Sequence, residues 1–191
     1  MIRRTSPVTR SPATRSAAAL PAIALAALLP ALAAATAAAA LDPTLAPLAP
    51  YVGRVFSADV TAPGAAAKTV DVQQWEEILG GKAVRIIHSI NDGDYGGESL
   101  VTWDPERRSL VYWYVTTAGF YTQGTITAGG DSLVTRERVV GEAGGVTEVE
   151  AVWHRTADGL SVSSRYLSGG QWSAGRQAAY RETPGATPRF R

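Results

Sequence analysis

The chain has no cysteine, one methionine (at position 1) and only two histidines in 191 residues. The first absence excludes a disulfide-stapled mini-protein, a cysteine nucleophile, a thiolate metal site and a lipid-anchored cysteine. Two isolated histidines, 66 residues apart, do not make a zinc site, and no His-Glu-x-x-His is present. Also missing are a Gly-x-Gly-x-x-Gly after a strand, a phosphate loop and a Gly-x-Ser-x-Gly nucleophile elbow. Acidic residues are absent from the first 40 positions, which hold Arg3, Arg4, Arg10 and Arg15. Residues 41–191 then carry 14 basic and 17 acidic side chains, a net charge of −3 with His neutral. A nucleic-acid binder led by a basic surface is excluded by that balance.

What is present falls into two parts. Residues 1–40 read as a signal peptide. A basic Ser/Thr/Pro-rich start precedes the uncharged run Ser16–Leu41, and 15 of the 24 residues from Ala17 to Ala40 are alanine. Ala38-x-Ala40 supplies the small-x-small pattern of a cleavage site. Pro21, Pro30 and the weak hydrophobicity of alanine argue against a retained membrane span, so a periplasmic or secreted location is expected. Arg3-Arg4 leaves the general secretory and twin-arginine routes both open.

Beyond Leu41 the pattern changes. Prolines 43, 47 and 50 forbid a long helix, so Leu41, Leu45 and Leu48 are expected to fold as a short turn against the body. From Val52 the period is two. Strands are predicted at Val52–Val60, Thr69–Trp75, Ala83–Asn91, Glu98–Trp103, Ser109–Thr117, Phe120–Ala128, Ser132–Val140, Val146–Thr156, Leu160–Leu167 and Gln171–Glu182. Gly/Asp turns such as Gly80-Gly81, Asp92-Gly93-Asp94, Gly129-Gly130 and Asp158-Gly159 divide them. A helix over Asp71–Leu79 is the competing reading of that stretch, with Asp71 and Gln74 as a capping box. The short spacing leaves no room for parallel crossovers. Ten antiparallel strands without covering helices resolve their edges by closing, so the fold class is all-β, an up-and-down barrel spanning residues 41–183, with a sandwich as second choice. Residues 184–191 read as a flexible tail.

Val84, Ile86, His88 and Ile90 share one strand face, as do Val149, Ala151 and Trp153, and Leu160, Val162 and Tyr166. Ser109–Thr117 is apolar on both faces and needs cover, for which Leu41–Leu48 is the candidate. A barrel of eight to ten strands leaves space for one small ligand.

Two stretches carry a family likeness. One is Trp75-Glu76-Glu77-Ile78-Leu79-Gly80-Gly81-Lys82-Ala83-Val84-Arg85. The other runs from His88-Ser89 through Tyr95-Gly96-Gly97-Glu98, Trp103-Asp104-Pro105 and Tyr112-Trp113-Tyr114 to Ala118-Gly119-Phe120-Tyr121. In order and spacing they resemble uncharacterised lipocalin-like bacterial barrels of the calycin type. Leu45…Leu48 and Gly53-Arg54-Val55-Phe56 are distantly similar to the opening of nitrobindin-like heme-binding barrels, without its tryptophan. The resemblance implies a ten-stranded barrel with an internal cavity and names no reaction. In the heme-binding barrels the axial histidine comes late in the chain, whereas Gln171–Glu182 contains none.

The candidate ligand-binding residues are His88, Tyr95, Glu98, Trp103, Tyr112, Tyr114, Tyr121 and Tyr166. Tyrosines lining a cavity suit a flat, partly apolar guest and supply hydroxyls. Tyr95 sits in the glycine-rich loop Asp92–Glu98, where it could gate the mouth; the acids of that loop read as turn caps, because an EF-hand would need a glutamate where Trp103 stands. His154 reads as solvated, and Arg136, Glu137, Arg138, Glu148 and Glu150 as an outward salt-bridged wall. No catalytic or metal residue is assigned. The leading expectation is a non-enzymatic carrier or sensor of a small apolar or amphipathic molecule, with no resident cofactor and no stable membrane span after signal cleavage. The alternatives are a cavity enzyme with His88 as acid/base oriented by Glu98, and a heme-binding barrel with His88 as axial ligand. Convergent polar groups inside the cavity favour catalysis; isolated hydroxyls favour carriage.

Overall fold

The structure, a computed structural model, describes residues 40–191; the expected signal segment otherwise lies outside the described residues. Ten strands follow a short 3-10 helix, Pro43–Leu48: β1 (Arg54–Asp59), β2 (Val70–Ile78), β3 (Ala83–Ile90), β4 (Tyr95–Asp104), β5 (Ser109–Thr116), β6 (Tyr121–Gly129), β7 (Ser132–Val140), β8 (Val146–Arg155), β9 (Gly159–Ser168) and β10 (Gln171–Glu182). Each pairs antiparallel with its sequence neighbours, and β1 pairs with β10, so the sheet is a closed up-and-down barrel. The alternation legible in the sequence is the alternation of the wall. Val84, Ile86 and His88, then Val149, Ala151 and Trp153, turn inward. The helix alternative over Asp71–Leu79 is not adopted: β2 runs on through Ile78 before the turn at Gly80-Gly81.

The two ends of the barrel differ. Turns β2–β3, β4–β5, β6–β7 and β8–β9 lie at one end, where the 3-10 helix also docks. Asp42 caps that helix through the Thr44 amide (3.0 Å) and pairs with Lys82 (2.7 Å), and its own amide donates to Gly81 O (2.9 Å). A three-residue turn stacks i and i+3 on one side, which carries Leu45 and Leu48 into the core together. Both are fully buried, and Tyr51 stacks on Trp75 with ring centroids 4.9 Å apart. The segment therefore floors the barrel; it does not cover β5. The outer face of β5 keeps Trp113 and Val115 exposed.

The last three residues of the expected flexible tail, 189–191, lie along the outside of β3 and β4. The Arg189 amide donates to Ser89 Oγ (2.9 Å), Arg191 pairs with Asp94 (2.8 Å), and Phe190 lies against Gly96. Ser89 is thereby buried although its strand position points out of the barrel.

Leu48→Ala should lower the free energy of unfolding by about 2–5 kcal/mol, the range for deleting a fully buried leucine. Urea denaturation followed by tryptophan fluorescence measures it; a loss below about 1 kcal/mol would mean that the helix does not floor the core.

Candidate functional site

A cavity of about 280 Å³ occupies the barrel interior. Toward the floor its lining is apolar: Trp75, Ile126, Leu133, Trp153 and Val162. Toward the mouth, where the other five connections lie, it becomes polar through Asp71, His88, Tyr95, Tyr114, Tyr166 and Arg176.

The polar end is one connected system. Asp71 Oδ1 accepts from His88 Nδ1 (3.1 Å), while Oδ2 accepts from Tyr180 OH (2.8 Å) and from Arg176 Nη2. Arg176 also donates to Tyr180 OH (2.6 Å). His88 Nε2 meets Tyr114 OH at 2.6 Å, and Tyr114 OH meets Tyr95 OH at 3.0 Å. Burial raises the Asp71 carboxyl, but the hydrogen bond and charge of His88 and the adjacent guanidinium outweigh it, leaving Asp71 below the usual carboxylate range. It is the ionised hub of the site. Desolvation pushes the Tyr114, Tyr95 and Tyr180 hydroxyls up, so all three stay protonated.

A second polar pair stands on the neighbouring wall. Glu137 Oε2 accepts from Tyr112 OH (2.9 Å) and from Thr122 Oγ1. Loss of water raises its carboxyl above the ordinary value despite those two bonds.

Local backbone choices make this crowding possible. Gly97 and Gly124 sit beside inward tyrosines, and a Cβ at Gly97 would come within 2.3 Å of the Tyr114 ring. Glycine there leaves the Tyr114 ring the room it occupies beside β4. Arg176 faces the interior on the same side as Ala178 and Tyr180, within a β-bulge between Ala174 and Gln177 that is pinned by Ser164, whose Oγ accepts from the Arg176 amide (2.9 Å).

Five of the eight sequence candidates line the cavity: His88, Tyr95, Tyr112, Tyr114 and Tyr166. Three do not. Glu98 is three residues from Tyr95, so the pleat sends it outward, where it pairs with Arg85 (2.7 Å). Tyr121 falls on the outer face for the same reason, since Thr122 and Gly124 take the inner positions of β6. Trp103 has the correct parity but lies eight residues from Tyr95, about 26 Å along the strand, and packs on the core near the floor. The carboxylate that orients His88 is thus Asp71 and not Glu98.

Glu137 corrects the expected outward wall. It faces the cavity, while Arg136–Glu148 (3.5 Å) and Arg165–Glu150 (2.8 Å) form exterior pairs. His154 is exposed, beside Ser132 (3.1 Å). Asp71 and Arg176 were missed. Both had a signal: Asp71 alternates with Gln73 and Trp75 on a strand that pairs with His88, and Arg176 alternates with the inward Ala178 and Tyr180 on β10.

Both ring nitrogens of His88 are engaged, so an axial bond from it to heme iron would require Tyr114 to leave Nε2. Among the described residues no cluster of three or more His, Cys, Asp or Glu is arranged to hold a metal ion.

No family model matches the chain, and no curated protein does. The crystal structure of Rv2717c from M. tuberculosis is similar in fold, with a TM-score of 0.55 at 16% identity over 75% of this chain and 99% of that one. At that identity the likeness concerns the fold alone.

Asp71→Asn should cost about 3–5 kcal/mol in urea denaturation, because Arg176 and His88 lose their shared anion inside the wall. Glu137→Gln should do the reverse. A carboxyl raised in the folded state resists ionisation, so its unfavourable contribution grows as pH rises through and above the unfolded value near 4.3. The variant is expected to be more stable than the parent at about pH 8 and to lose that advantage near pH 4. Equal gains at both pH values would contradict the assignment.

Proposed function

We propose that the barrel binds one small amphipathic molecule, apolar end down on Trp75, Trp153 and Leu133 and polar end up at His88, Tyr95 and Arg176. The observation that supports this is the division of a single cavity into an apolar floor and a polar rim. Its volume, about 280 Å³, is at the small edge of the roughly 300–1,000 Å³ usual for ligand pockets, so the guest is small. The role is carriage or sensing outside the cytoplasm, in the periplasm or secreted, a setting that rests on the alanine-rich leader. Kinship with lipocalin-like, calycin-type barrels belongs to the same reading; the ring of ten strands and the likeness to Rv2717c support it.

A second reading has its own observation. The polar groups converge: Asp71, His88, Tyr114 and Tyr95 form one hydrogen-bonded line ending in the cavity. Such a line serves proton transfer to a bound substrate, with Tyr95 as the contacting group and His88 as the proton store.

The binding reading is tested with 3-phenylpropan-1-ol as probe. Titration should change the tryptophan emission saturably with one site per chain, and Ala151→Trp, which fills the cavity from a small lining position, should abolish it. Binding that survives in the filled variant would place the guest elsewhere.

A further inference from the structure

The hydrogen-bond line has a direction, and that direction is fixed by chemistry. Asp71 is ionised and can only accept, so His88 Nδ1 carries a proton. With one ring proton, Nε2 is a lone pair and must accept from the Tyr114 hydroxyl at 2.6 Å. The Tyr114 oxygen then accepts from Tyr95 at 3.0 Å. Tyr95, a lining residue, is left presenting an oxygen lone pair to the cavity. With two ring protons the Nδ1–H bond to Asp71 stays and the two outer bonds turn round: Nε2–H donates to Tyr114, Tyr114 donates to Tyr95, and the Tyr95 O–H is left free to donate to the guest.

We propose that this line sets which head group the cavity accepts: a hydrogen-bond donor such as a hydroxyl when His88 is neutral, and an acceptor such as a carboxylate when His88 is protonated. The inference rests on the binding reading above and specifies its ligand. Geometry makes the reversal local, because only hydroxyl protons move and no side chain has to change rotamer. The other ionisable groups of the cavity lining are Asp71 from β2, Tyr95 from β4, Tyr112 and Tyr114 from β5, Glu137 from β7, Tyr166 from β9, and Arg176 and Tyr180 from β10. Asp71 is matched by Arg176, and desolvation keeps Tyr95, Tyr114 and Tyr180 protonated. Glu137, raised by burial, is the other carboxyl that faces the cavity.

The test is calorimetric titration with two probes of one shape, 3-phenylpropan-1-ol and 3-phenylpropanoate, at about pH 8.5 and pH 5.5, where the carboxylate remains largely ionised. The ratio of their affinities should swing by about tenfold in favour of the carboxylate at the lower pH, the scale of one hydrogen bond gained against one lost. Tyr95→Phe, which removes the contacting hydroxyl, should weaken both probes and flatten the swing in their ratio; attraction by the His88 charge alone would leave the swing intact in that variant and overturn the proposal. Tyr114→Phe should flatten it as well. Glu137→Gln should leave it unchanged, and its disappearance there would transfer the titration to Glu137 and sink the inference. Two probes that bind with a constant ratio would refute the reversal while sparing the cavity reading. Failure of both probes to bind would remove both.

Discussion

The barrel depends on how its first and last strands are held together. Pairing between β1 and β10 is short, with Phe56 opposite Glu182 and Ser57 opposite Arg181. Side chains reinforce it: Arg54 meets Glu182 at 2.6 Å and Ser57 meets Thr183 at 2.7 Å. From inside, Asp71 on β2 reaches across β1, whose interior residue there is Ala58, to Arg176 and Tyr180 on β10. A carboxylate so placed ties three strands through one pair of oxygens. The same carboxylate fixes the proton on His88. Closure of the wall and the hydrogen-bonding state of the site are therefore not separable.

The cavity's polarity follows from chain direction. Antiparallel strands bring the early part of β2, β4 and β10 and the late part of β3, β5, β7 and β9 to the mouth. Polar inward residues sit in those parts, and tryptophan, leucine and isoleucine sit in the others. Hydrophobic burial near the floor adds to the stability that the Asp71 network supplies at the rim.

Much of this was readable in the chain. Period two between glycine turns predicted ten antiparallel strands and their inward faces, and five of eight candidate residues lie in the cavity because parity is a local property. The misses have local causes too. Tyr95 and Glu98 differ by an odd number of positions and could never share a face. Glu137 was placed outside because charged neighbours on both sides suggested a solvated wall, whereas it alternates with inward Leu133 and Thr135. Arg176 shares the parity of inward Ala178 and Tyr180 and was passed over because it is charged, and Asp71 depends on reading a strand whose polar residues face in while its valines face out. Which strand meets which across the seam is a long-range fact that no window of sequence contains.

That last contact also orders assembly. Nine of the ten strand pairings join neighbours in the chain and can form as successive hairpins, with small loops to close. The tenth links residues more than 120 positions apart and has to wait for β10 to emerge. Until then both margins of the growing sheet are open to other chains, and the ring is most vulnerable to misassociation just before it shuts.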